Sequence, residues 1–200
     1  MNTLTASHQS PSLWGKVSGL FSPSKENDSS APKVDVDREF KDFFEKSYEP
    51  RFCGKNIKRF VAQLPPSEQK DAKVLGIENK GFSYFGMVRA MHARDTKGDG
   101  TPYATDRNWY HHVVLEKDGK IYDFDFGIEP KVLPVTQYFS KMFFTNDKHV
   151  KPEEKCKDYE VQVIDAAQYV SGKQDTSTKM RLGEYLKPWE NSQTFTPKAA

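Results

Sequence analysis

Cys53 opens a stretch in which Ile57, Phe60, Val61 and Leu64 recur at helical spacing. A thiol at that position lies among backbone N–H groups without intrahelical partners, at the positive end of the helix dipole, where negative charge on sulfur is favoured. Cys53 is therefore a candidate nucleophile, the alternative being a small buried apolar residue. A thiol nucleophile needs a base. His111 and His112 precede Val113-Val114-Leu115 in a segment that reads as a strand, so alternation sends the two imidazoles to opposite faces and one of them can serve. Asp118-Gly119 signals a two-residue hairpin whose register pairs Glu116 with Ile121, Val114 with Asp123 and His112 with Asp125. His112, Asp123 and Asp125 then share one face, while His111 points away with Phe124 and Phe126. Two carboxylates in an aromatic strand require partners if they are buried, and an imidazole across the hairpin is the partner this register offers. The alternative is an exposed polar face on a half-buried hairpin. Thiol, imidazole and carboxylate together would carry acyl transfer through a thioester.

The surrounding pattern predicts the elements that must hold these groups. A helix starts at Val36 with Phe40, Phe43, Phe44 and Tyr48 on its stripe and stops at Pro50. A second runs from Cys53 to Leu64, where Pro65-Pro66 ends it. Strands are expected over Lys73 to Ile77, Ser83 to Met91, Trp109 to Glu116, Ile121 to Phe126 and Tyr159 to Ile164, with a helix over Thr136 to Phe144 and a polar loop over residues 93–108. Helices first and an antiparallel sheet later indicate an α+β domain with helices packed on the sheet.

Composition narrows the field of functions. Lys and Arg exceed Asp and Glu by only two charges among 200 residues, too little for a phosphate-tracking surface, so nucleic acid is not an expected partner. No apolar run approaches the roughly 20 residues of a membrane span, and the N-terminus lacks the layout of a conventional secretory signal. Cys53 and Cys156 make neither a disulfide framework nor a metal-ligand spacing, which suits a reducing compartment. Residues 1–32, with eight serines and three prolines, bury too little surface to offset ordering and are expected to form a disordered tail ahead of a single catalytic domain over 33–200. Within the tail, Leu13, Trp14, Val17, Leu20 and Phe21 form one face of a short helix: either a chance cluster, or a docking face for a partner, a secretion chaperone or a membrane surface.

A helix-borne cysteine followed by a histidine and then a carboxylate on adjacent antiparallel strands is the order found in papain-like cysteine enzymes. The chain also resembles the protein N-terminal glutamine amidohydrolases, over about residues 50–170. Cys53-Gly54-Lys55-Asn56-Ile57 is similar to that family's cysteine, two variable positions, Asn and Ile; Ile77-Glu78-Asn79, Gly98-Asp99-Gly100, His112-Val113-Val114-Leu115 and Ile121-Tyr122-Asp123-Phe124-Asp125 match further pieces in order. Tyr138-Phe139 and the strand from Tyr159 to Ile164, followed by Asp165-Ala166, also have counterparts. The chain departs from the pattern at His111, where the family carries Tyr, in a shorter hairpin, in lacking a tryptophan near Phe85, and after Asp165, where Asp175-Thr176-Ser177-Thr178-Lys179-Met180 only faintly echoes a Ser-His-Met element and no proline-rich stretch follows.

The resemblance implies a papain-like cysteine hydrolase architecture and a catalytic triad of Cys53, His112 and Asp123, with no metal and no organic cofactor. It implies hydrolytic deamidation of glutamine in a protein or peptide substrate, with ammonia release, first at an N-terminal glutamine. Hairpin pairing alone places Asp125 opposite His112, whereas the motif assigns the triad role to Asp123. Tyr84, Trp109 and Tyr110 are either cleft-lining or core residues, and Cys156 is expected to be a bystander. Other readings stand beside this one: a bacterial effector that deamidates an internal glutamine of a host protein, a papain-like protease or transglutaminase-like acyl transferase, and a binding module whose hairpin is structural. The expected location is the cytoplasm or, for an effector, the host cytosol.

Overall fold

The computed structural model describes residues 34–80, 89–96, 99, 101–108, 111–145, 148–149, 158–173 and 177–190. The described residues fall in one unit that begins at Val34. The tail, with its Leu13 to Phe21 stripe, and Tyr84, Gly98, Gly100, Trp109, Tyr110 and Cys156 lie outside the described residues.

Helix α1 spans Val36–Ser47. The Asp35 carboxylate caps it by accepting the Arg38 backbone N–H at 3.2 Å, and Asp37 and Glu39 in the first turn with Lys46 in the last complement its dipole. Its end follows from Pro50, which disfavours helical backbone in the residue before it. Helix α2 spans Cys53–Gln63, and Pro66 then opens the short α3, Pro66–Gln69, at a position where its missing N–H leaves no helical bond unmade. α2 agrees with the periodicity to within a residue, while α1 ends at Ser47 and leaves Tyr48, expected on its stripe, in extended backbone at the C-cap.

The strands that follow are β1 (Lys73–Asn79), β2 (Arg89–Thr96), β3 (Pro102–Asn108), β4 (His111–Lys117), β5 (Lys120–Asp123) and β6 (Lys131–Pro134); next come α4 (Val135–Met142), β7 (Phe143–Thr145), β8 (Lys148–His149), β9 (Tyr159–Asp165), α5 (Ala166–Ser171), β10 (Thr178–Arg181) and α6 (Leu182–Glu190). Six strands form an antiparallel sheet in the order β10-β9-β1-β4-β5-β6, and a smaller antiparallel sheet has the order β3-β2-β7-β8. Together these elements establish an α+β fold. No helix among the described residues is long and apolar enough to cross a membrane.

Alternation along the central strands feeds two cores. Leu75, Ile77, Val114 and Ile121 pack with Tyr138, Phe139 and Met142 of α4 and Leu182 of α6, whereas Val74, Val113, Leu115 and Tyr122 pack with α1, α2 and Ala166 of α5. The second core is built largely from rings: fully buried Phe40 stacks on Phe124 with centroids 4.1 Å apart and meets Phe60 and Tyr122 edge-on at 5.3 and 5.2 Å. Removing a ring so placed costs about 3–5 kcal/mol.

Several expected boundaries are corrected. The loop expected over 93–108 contains the end of β2 and all of β3, whose backbone ladder with β2 forms without the apolar alternation that marks a strand in sequence. The strand expected to end at Met91 continues to Thr96, its expected start at Ser83 lying outside the described residues, and α4 yields to β7 at Phe143. β5 stops at Asp123 rather than Phe126. The chain leaves the sheet there and passes Gly127 at a φ of 112°, so Phe124 enters the α1–α2 core while Phe126 joins the opposite one; the expected common face of Phe124 and Phe126 is not formed.

Candidate active site

The position of Cys53 is determined by how α2 begins. Phe52 at the N-cap contributes no side-chain hydrogen bond and the first turn has no acidic residue, so no side-chain anion of that turn opposes charge on the sulfur. The loop into the helix is fastened by Asn56, fully buried one turn later: its amide oxygen accepts the Glu49 backbone N–H at 3.1 Å and its Nδ2 donates to the Glu49 carbonyl at 2.7 Å. Asn56→Ala removes both bonds and leaves the Glu49 backbone groups to find new partners. A loss of about 2 kcal/mol in chemical denaturation, with activity reduced beyond the loss of folded protein, is the expected outcome.

Gly54 brings α2 against the sheet. A Cβ there would stand 3.2 Å from the Tyr169 hydroxyl oxygen and 3.6 Å from Val113 Cγ2, so a larger residue would push the helix start away from β4. The Tyr169 hydroxyl donates to the Gly54 carbonyl at 3.3 Å. Burial and the nearby Cys53 sulfur raise the Tyr169 pKa, which keeps that hydroxyl a donor.

Across from α2, His112 is buried on β4 and its Nε2 lies 2.8 Å from Asp123 Oδ2. With Nε2 engaged there, Nδ1 is the ring nitrogen left for Cys53, whose sulfur is near enough to favour the charged imidazole. Burial by itself would lower the His112 pKa; the charge and hydrogen bond of Asp123, together with Cys53, outweigh it and hold the imidazole well above the ordinary histidine value. His111 takes the other face, where its Cε1 would lie 3.3 Å from a Cβ at Gly76, and burial followed by the charge of His112 lowers its pKa.

The hairpin register matches the sequence expectation, with Lys117 opposite Lys120, Glu116 opposite Ile121 and Leu115 opposite Tyr122. Because β5 ends at Asp123, the expected direct pairing of His112 with Asp125 does not form, and Asp123 reaches the imidazole diagonally. Both Asp123 oxygens are occupied: Oδ2 also accepts the Tyr138 hydroxyl at 2.7 Å, and Oδ1 accepts the Asp125 backbone N–H at 2.8 Å. Burial, then the Asp123 charge, raises the Tyr138 pKa, so this hydroxyl too remains a donor.

His112, Asp123 and Asp125 carry potential metal-ligand atoms within 4.8 Å of one another. A cation bound there would have to replace the His112–Asp123 bond and compete with Tyr138 for the same carboxylate oxygen, which makes the set a better hydrogen-bonded relay than a metal cradle.

The structure thus brings Cys53, His112 and Asp123 together. Sequence reasoning did not identify the roles of Tyr48, Asn56, Tyr138 and Tyr169. A signal existed for Tyr138, since a tyrosine on the apolar stripe of a buried helix must find a partner for its hydroxyl. No family model and no curated protein matches this chain.

The raised His112 value has a consequence for stability. A group whose folded pKa exceeds its unfolded one contributes fully below the unfolded value of about 6.5 and loses that contribution as pH rises through the folded value. The difference in Tm between the wild type and His112→Gln should therefore narrow on going from mildly acidic to alkaline buffer. A difference that widens would mean that the folded protein holds His112 neutral.

Proposed function

We propose that this chain is a protein-glutamine amidohydrolase of papain-like architecture. The observation that carries the reading is the continuous relay from the Cys53 thiol through the His112 imidazole to the doubly supported Asp123 carboxylate. Cys53 thiolate attacks the side-chain carboxamide carbon of glutamine, and backbone N–H groups at the start of α2 stabilise the oxyanion. His112 gives its proton to the departing nitrogen, ammonia leaves, and a γ-glutamyl thioester remains on Cys53. The neutral imidazole then takes a proton from water as it attacks the thioester, and glutamate and the thiol are released. Asp123 fixes the imidazole orientation and stabilises its charged form throughout. None of these steps calls for a metal or an organic cofactor.

The substrate is a protein or peptide bearing glutamine. An N-terminal glutamine is placed first because the pieces similar to the amidohydrolases surround the three reacting residues. Recognition of such a terminus needs partners for a buried α-ammonium, since an unpaired buried charge costs several kcal/mol. Matched peptides with a free or an acetylated N-terminal glutamine provide the test. Preference for the free terminus is expected; equal rates would replace it with an internal glutamine, as an effector acting on a host protein would require. Cleavage of the peptide chain, or transfer of its acyl group to an amine, would assign the same triad to a protease or an acyl transferase.

A further inference from the structure

Asp125 lies two residues beyond the triad acid, and the proposed chemistry gives it no step. Its carboxyl nevertheless joins the two halves of the site. Oδ1 accepts the Tyr48 hydroxyl, and the backbone N–H of Arg51 is directed at the same carboxyl. Tyr48 closes α1, and Arg51 stands two residues before Cys53. Arg51 has a φ of 73°, the left-handed region that a residue with a side chain occupies only when its surroundings hold it there. The Asp125 backbone N–H, meanwhile, donates to Asp123 Oδ1 at 2.8 Å.

This placement is unfavourable for a carboxylate. Burial, followed by the neighbouring Asp123 charge, pushes the Asp125 pKa upward, and Oδ2 is buried without a hydrogen-bond partner among the described residues. An apolar residue would avoid both penalties, but it could not accept from Tyr48 and Arg51. On the reading of Cys53 as the nucleophile, we infer that Asp125 is a positioning residue: its carboxyl clasps the Tyr48–Arg51 turn that aims Cys53, while its backbone aims Asp123 at His112. One residue thereby sets the nucleophile and the acid relative to each other. What matters in this role is an acceptor oxygen, because asparagine also carries one at the Oδ1 position.

Two readouts test the clasp, steady-state ammonia release from a glutamine peptide and the rate of Cys53 alkylation by iodoacetamide. Asp125→Ala is expected to lower kcat about 100-fold, the effect of misplacing a reacting group by about 1 Å, with little change in KM. Alkylation should slow in parallel. Asp125→Asn should recover most of both rates, and Arg51→Gly added to Asp125→Ala should recover part of them, because glycine adopts the left-handed turn without being held. Wild-type rates in Asp125→Ala, or Asp125→Asn as impaired as Asp125→Ala, would overturn the inference. Should Asp125→Ala fail to fold, Tyr48→Phe removes one donor and keeps the ring; a drop of about 3- to 10-fold in kcat supports the clasp, and unchanged kcat and alkylation overturn it. If the wild type releases no ammonia from any glutamine peptide, the deamidase reading fails, while the alkylation series still decides the role of Asp125.

Discussion

Cys53→Ala should abolish ammonia release, by at least about 10⁴-fold, while the protein remains folded. The thiol is the only group at the start of α2 able to form the covalent intermediate, whereas its share in packing is one half-buried sulfur at a helix end. Its removal should cost about 1 kcal/mol or less, and α2 remains anchored through Ile57, Phe60 and Val61. Cys156→Ala, which changes a cysteine between Lys155 and Lys157, should behave as wild type. Thermal unfolding followed alongside ammonia release separates a chemical defect from a folding defect. Equal loss in both variants, or turnover by Cys53→Ala, would contradict the assignment of the nucleophile.

The second large effect is expected at Asp123. Both of its oxygens act as acceptors, one from His112 and Tyr138 and the other from the Asp125 backbone N–H. Asparagine offers only one acceptor oxygen. If its NH₂ faces Asp125, two donors oppose each other; if it faces His112, Nε2 must accept and the imidazole proton moves to Nδ1, beside the thiol it should deprotonate. Either arrangement spoils the relay, and the missing charge no longer supports the imidazolium. Turnover by Asp123→Asn should fall by about 10³–10⁴-fold, far more than by Asp125→Asn. The opposite ranking would transfer the acid role to Asp125.

These two residues also show what the sequence could and could not disclose. The Asp118-Gly119 turn and strand alternation place His112, Asp123 and Asp125 on one face; the observed register agrees from Lys117–Lys120 to Leu115–Tyr122, and Asp125 lies beyond the end of β5. Alternation cannot say which carboxylate the imidazole meets. That depends on β5 ending at Asp123, a backbone event with no counterpart in the pattern of Phe124, Asp125 and Phe126. α1 and α2 were legible because single apolar stripes end at proline. β3 was not, because its pairing with β2 is a backbone interaction carried by a polar segment. The short elements α5 and β10 leave little periodic signal, yet α5 delivers Tyr169 to Gly54. Asn56 was visible as part of a motif, but its role depends on the folded-back Glu49 backbone, which no spacing rule predicts.

The most direct measurement is intact-mass spectrometry of the protein after brief incubation with a glutamine peptide and an acid quench. The expected result is an adduct on Cys53 equal to the whole peptide less one ammonia, absent from Cys53→Ala, with the released peptide carrying glutamate in place of glutamine. Ammonia release that persists in Cys53→Ala, an adduct carrying only an N-terminal fragment of the peptide, or a wild-type protein that forms no adduct and leaves the glutamine intact would contradict it.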